Sequence, residues 1–271
     1  MKTIFRIYQF VNILSFDVAI GAMICALFFA RLFNVAILPQ GLASLGIAVW
    51  IIYTTDHLLD ARRLNQTAST ARHRFHQQHF KLLYLLLLIV LLVELILIFF
   101  LRKPVFYGGL WLGVGVGVYV LINRYLMYFK EVAAALLYST GILLPVFSLK
   151  QSSFLLYDQL MIAQFVLIVL INLILFSWMD YEKDLKDSNR SLITYLSKRS
   201  GAILLTFLFI ALALLHTFTI SIYQVATLIF IGMNGVLLML FLFQSYFKRE
   251  ERFRFLGDAI FFLPALALFI H

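Results

Sequence analysis

Cysteine is almost missing from this 271-residue chain. Cys25 stands alone, so the chain can form no internal disulfide and carries no paired-thiol redox motif. Charge is scarce as well. Only 13% of the residues are Asp, Glu, Lys or Arg, far below what a soluble domain carries. The charge that is present leans one way, with 22 Lys and Arg against 13 Asp and Glu. No motif for reading DNA or RNA accompanies that excess, and no nucleic-acid partner is expected. The first apolar run does not read as a cleavable signal peptide. It is too long, and Asp17 interrupts it without a small-residue exit.

Hydrocarbon is what the chain has in plenty. Hydrophobic residues make up 63% of it and the mean hydropathy is +0.97. Apolar runs of roughly 20 residues recur, the length a helix needs to cross about 30 Å of membrane interior. Nine such spans are expected, near residues 8–30, 36–57, 81–101, 104–122, 131–149, 154–178, 202–220, 222–246 and 256–270. Only a tight, uncharged stretch near Ser221 separates the seventh from the eighth. The last is short and carries Asp258 and Pro264. The expected fold is therefore all-α, a multi-pass membrane bundle in which residues 1–271 form a single domain.

Basic residues orient these spans. With the N-terminus in the cytoplasm, 18 of the 22 Lys and Arg fall in cytoplasmic loops. Arg31, Arg102, Lys103 and Lys150 are the four on the other side. That asymmetry is the positive-inside pattern, and it also accounts for the net charge of +9. An odd number of spans puts the C-terminus on the opposite side.

Against this background two acidic pairs stand out, Asp56-x-x-x-Asp60 and Asp180-x-x-x-Asp184, each at the cytoplasmic end of an apolar run. Carboxylates four apart lie one turn apart on one helix face, where they can share a metal ion. The second pair follows the first by four spans, in the same orientation. The organisation expected is two four-helix units and a ninth helix around a central cavity, one pair from each unit at their interface. Asp187 extends the second pair's face if that helix continues. Cations cluster beside both pairs: Arg62, Arg63, Arg72, Arg74, Lys183, Arg190, Lys198 and Arg199. Acidic pairs alone bind metal; acidic pairs beside Arg clusters suit metal with a phosphate ligand. The aromatic neighbours Tyr53, Trp178 and Tyr181 are the candidates to line the reacting centre.

The stretches DHLLDARR at 56–63 and DYEKDLKDSNRSLITYLSKRSG at 180–201, with nine spans and a four-span offset, resemble the UbiA superfamily of intramembrane prenyltransferases. The resemblance covers nearly the whole chain. It implies that Asp56, Asp60, Asp180 and Asp184 hold Mg²⁺ on an allylic isoprenyl diphosphate. Arg72, Arg74, Lys130, Lys183 and Arg190 become diphosphate ligands on the same grounds. The implied reaction moves a prenyl group to a small, lipophilic or aromatic acceptor at the cytoplasmic face of the cell membrane. This chain departs from the family pattern at Ile52, where Asn is usual, and at Ser188, where Gly is usual. The segment ending ARHRFHQQH also replaces the usual Arg-Thr-x-x-Arg-Pro stretch.

Other classes stay open on the residues alone. A terpene cyclase of the same type would ionise the same donor and quench it internally. A transporter would couple cations through the Asp pairs, but no broken midplane helix carries paired acids. The D-x-x-D-G signature of CDP-alcohol phosphotransferases is absent. Asp17 is expected to face the bundle interior and Glu94 to have a structural partner, since charges in lipid are costly. Asn123 is expected to reach the cavity or cap a helix. His73, His76 and His79 have metal-like spacing but sit among Arg72, Arg74 and Lys81, a poor setting for a cation. The glycines 113, 115 and 117 read as close helix packing.

Overall fold

A computed structural model describes residues 2–63, 67, 70–126, 128–187 and 189–269; for residues 2–7, 63, 123 and 124 only the backbone is described. Every regular element among them is helical. The chain opens with α1 (Lys2–Ile13) and α2 (Phe16–Leu32), which divide the expected first span in two. The break falls at Ser15, whose φ of 58° lies in the left-handed region that a Cβ disfavours. A buried polar knot surrounds this break. Asn12 donates to Asp17 at 2.5 Å and to Asp258 at 2.8 Å, and Asp17 accepts the Val18 amide at 2.9 Å. Asp17 is therefore an interior structural acid, fully buried as expected.

Next come α3 (Pro39–Arg63), α4 (Ala71–Gln78), α5 (Phe80–Leu97), α6 (Lys103–Leu126), α7 (Lys130–Leu149) and α8 (Leu156–Met179). Proline opens α3, where its missing amide costs nothing. Asp180 ends α8 and starts the short α9 (Tyr181–Lys186). The Ser191 side chain caps α10 (Leu192–Leu196) by accepting the Thr194 amide. The last segments are α11 (Lys198–Thr219), α12 (Gln224–Leu242), α13 (Gln244–Phe247), α14 (Arg252–Ala259) and α15 (Ala265–Phe269).

Seven described helices are long and apolar enough to cross a membrane: α3, α5, α6, α7, α8, α11 and α12. The other two expected spans differ from a simple crossing helix. α2 is 17 residues long once Ser15 has broken the run. The 256–270 stretch is split into α14, a 3₁₀ turn and α15, because Pro264 supplies no amide to continue the helix.

Packing centres on α8, whose Ile168, Ile171, Ile174 and Leu175 are almost wholly buried. It contacts α7 on one side and both α11 and α12 on the other. α2 fills the space between α3 and α7, and α5 leans on α3. α6 behaves differently. It packs on α7 but has no substantial interface with α3 or α5, and none of its membrane-length window is buried. A gap is left between α5 and α6. The glycines expected to pack helices tightly do the opposite on this face. An added Cβ at Gly113 or Gly117 would meet nothing within 4 Å, and with Gly109 they form a stripe along a cavity wall. Because α6 stands off from its neighbours, its small residues give room instead of contact.

Candidate functional site

That gap opens into one cavity of about 1630 Å³, lined mainly by α3, α5, α6, α7 and α8, with α4, α9 and α14 at the acidic end. Most of its wall is apolar. Asp56, Asp60, Asp180, Asp184 and Asp187 all line it, together with Lys130, Arg72 and Arg190. The two pairs, more than a hundred residues apart in sequence, thus share one chamber.

The pairs are built differently. Asp56 and Asp60 sit one turn apart on continuous helix near the end of α3. The helix breaks at Asp180, yet the Asp184 amide still donates to the Asp180 carbonyl at 2.9 Å, keeping those two one turn apart. Asp187 does not extend the helical face, because α9 ends at Lys186; it closes that helix as its C-cap and is buried against the cavity.

Asp180 has strong local company. Arg254 of α14 forms a short ion pair with it, and Lys183 Nζ lies 3.5 Å away. Lys183 also bonds Glu251 at 2.6 Å, and Arg254 Nε lies 3.8 Å from Glu251. Burial disfavours the Arg254 charge, but Asp180 and Glu251 outweigh it and hold the group above its ordinary pKa. Asp184 is in the opposite position. Burial pushes its pKa up to about 6, with Lys130 opposing and Asp180 adding to the rise.

A histidine cluster borders the first pair. His57 lies 5.2 Å from His76 and 5.8 Å from His73 between ring centroids, and His73 Nε2 is 3.9 Å from Asp60. Burial pushes the His73 pKa down to about 4; Asp60 opposes this, while Arg254 and Arg72 reinforce it. The ring is neutral near neutral pH. Arg72 ties the region to the knot at the α1–α2 break, bonding the Asn12 side chain at 2.9 Å and Asp258 at 3.4 Å.

Several expected site residues stand elsewhere. Arg62 and Arg74 are exposed and do not line the cavity, since the end of α3 and the outer face of α4 carry them away. Lys183 does not line the cavity; it pairs with Asp180, which does, and with Glu251. Trp178 is buried on the far side of α8, donating to the Lys198 carbonyl at 2.9 Å and packing on Phe241. Tyr181 packs against the core outside the cavity, whereas Tyr53 lines it. The side chains of Arg63 and Asn123, and Ser188 altogether, lie outside the described residues. Sequence reasoning missed Arg254, His57, Glu131 and Asn189 as lining groups. Arg254 and Asp258 carried a signal, charges of opposite sign four apart on α14, but nothing local tied it to Asp180.

Among the described residues no three His, Cys, Asp or Glu side chains are grouped closely enough to hold a metal ion by themselves. The donors that line the acidic end are the Asp carboxylates and the side chain of Asn189, with the His57 and His73 rings beside them, so oxygen predominates. Such a set fits Mg²⁺, which commonly takes one or two carboxylates and completes its shell with substrate phosphate and water. Comparison with protein families, curated proteins and solved structures finds no match to this chain.

Proposed function

We propose that this protein is an intramembrane prenyltransferase of the UbiA type, with nine membrane passages arranged as two four-helix units and a ninth segment. The carrying observation is that both acidic pairs line one end of a single, mostly apolar cavity with a gap between α5 and α6. Carboxylates with Lys130 and Arg190 suit a diphosphate, and the apolar remainder suits an isoprenoid tail. The volume of about 1630 Å³ exceeds what one small ligand fills, which favours two substrates together. The α5–α6 gap offers a lipophilic acceptor a path from the bilayer. In this arrangement α12 is the counterpart of α6, and the two differ: α12 packs on α8 and α11, whereas α6 packs on α7 and has no substantial interface with α3 or α5.

In this reading Asp56, Asp60, Asp180 and Asp184 hold Mg²⁺ against the donor diphosphate. When bound, the metal draws electron density from the leaving group. Lys130 and Arg190 bind diphosphate oxygens, and Arg254, already paired with Asp180, balances the acids beside them. The bond between the allylic carbon and the bridging oxygen breaks, and both electrons leave with diphosphate. Tyr53, Tyr119 and Tyr138 line the cavity and supply aromatic rings that can stabilise the cation, while the apolar wall keeps water out. The acceptor then bonds to the allylic carbon, and the proton it loses passes to the released diphosphate.

The test is direct. Purified protein with Mg²⁺ and a prenyl diphosphate is expected to release diphosphate, and Asp56→Asn or Asp184→Asn to abolish that release. Lipid extracts of cells with and without the gene then separate the chemistries by mass spectrometry. A new prenylated acceptor supports transfer; a cyclised hydrocarbon would replace transfer with cyclisation.

A further inference from the structure

The apolar cavity wall is interrupted at one place remote from the acids. Ser44 of α3 donates a short hydrogen bond to Glu94 of α5, and both residues line the cavity. The second carboxyl oxygen, Oε2, is buried and makes no hydrogen bond. Ser44 stands twelve residues before Asp56 on the same helix, about 18 Å away at the α-helical rise. Leu45, Leu91 and Leu95 surround the pair on the lining. An apolar tail laid over the bridge covers those of its polar atoms that line the cavity and returns no hydrogen bond, which is unfavourable.

We propose that the Glu94–Ser44 bridge limits how deeply an isoprenoid tail can enter, so that the site selects donors of three to four isoprene units over longer ones. This rests on the prenyl-diphosphate reading above. An extended isoprene unit adds four chain carbons, about 5 Å on ordinary carbon–carbon bond lengths, so about 18 Å holds three to four units. Glu94 touches no reacting atom. Its part is to make the wall polar at that depth.

A competition assay tests this, with Mg²⁺ and an equimolar mixture of prenyl diphosphates of two, three, four and six units in one reaction. The ratio of donors consumed does not depend on how much protein is folded. Wild type is expected to favour the three- and four-unit donors. Glu94→Leu makes the wall apolar and leaves Ser44 free to bond a carbonyl of its own helix. It is expected to raise the consumption of the six-unit donor relative to the three-unit donor about tenfold. Gly113→Phe places a ring in the cavity where an added Cβ meets nothing, and is expected to shift preference toward the two-unit donor. Ratios unchanged in both variants, with diphosphate release intact, would overturn the length limit alone. No release from any donor by the wild type would overturn the diphosphate reading and the limit with it.

Discussion

Asp180 is nearly buried and leans on Arg254, which reaches it from α14 across 74 positions of chain. Removing one partner of such a pair strands the other as a buried charge. Arg254→Met is therefore expected to lower stability by about 3 kcal/mol, and Asp180→Asn in the same chain to recover part of that loss. Thermal unfolding of the wild type, the single variant and the double variant in detergent checks both statements. Asp184 gives a pH-dependent counterpart. Its carboxyl titrates near 4 when unfolded and at about 6 when folded, so between those values the folded state holds the extra proton. Asp184 should thus contribute a fall in stability of the metal-free protein, by up to about 3 kcal/mol as pH rises from about 4 to about 6, and Asp184→Asn should make the measured fall smaller by that share. The four Asp were legible in the sequence because they form two i,i+4 pairs at matched ends of apolar runs. Arg254 was not, since its role depends on where α14 packs, and no spacing within the chain encodes that.

Helices expose the same division between local and tertiary information. Run lengths foretold the seven long helices well, because apolar length is a local property. Ser15 was not foretold as a break; its strained backbone is offset by contacts of its neighbours Asn12 and Asp17 with Arg72 and Asp258, which come from two distant parts of the chain. Glycine shows the point most sharply, for the same residue type does opposite things on two helices. At Gly257 in α14 an added Cβ would lie 2.4 Å from Phe176 and 2.8 Å from Asn172, whereas at Gly113 in α6 it meets open space. Gly257→Ala is expected to cost about 1–3 kcal/mol through overpacking. Gly113→Ala should instead stabilise α6, by up to about 1 kcal/mol of helix propensity. Unfolding midpoints of the two variants decide this, and equal shifts would contradict the assigned packing.

The whole molecule is a bundle with one helix standing off, and that displacement makes the cavity. Composition announced the bundle. It could not announce the cavity, because α6 is as apolar as the helices that pack fully, and only its neighbours distinguish it. Orientation is open to a simple experiment, since Cys25 is the sole cysteine and is buried. With Cys25→Ala as background, a cysteine at Lys186 should react with an impermeant thiol reagent only after cells are permeabilised, and one at Lys150 should react in intact cells. The reverse pattern would invert the proposed topology.

The central claim is that the two acidic pairs act together on one prenyl diphosphate. The most direct measurement is Mg²⁺-dependent diphosphate release by the purified wild type, Asp56→Asn and Asp184→Asn under identical conditions. The account predicts release by the wild type, its loss on chelation of Mg²⁺, and its loss in each variant although both remain folded. Undiminished release in both variants would contradict it.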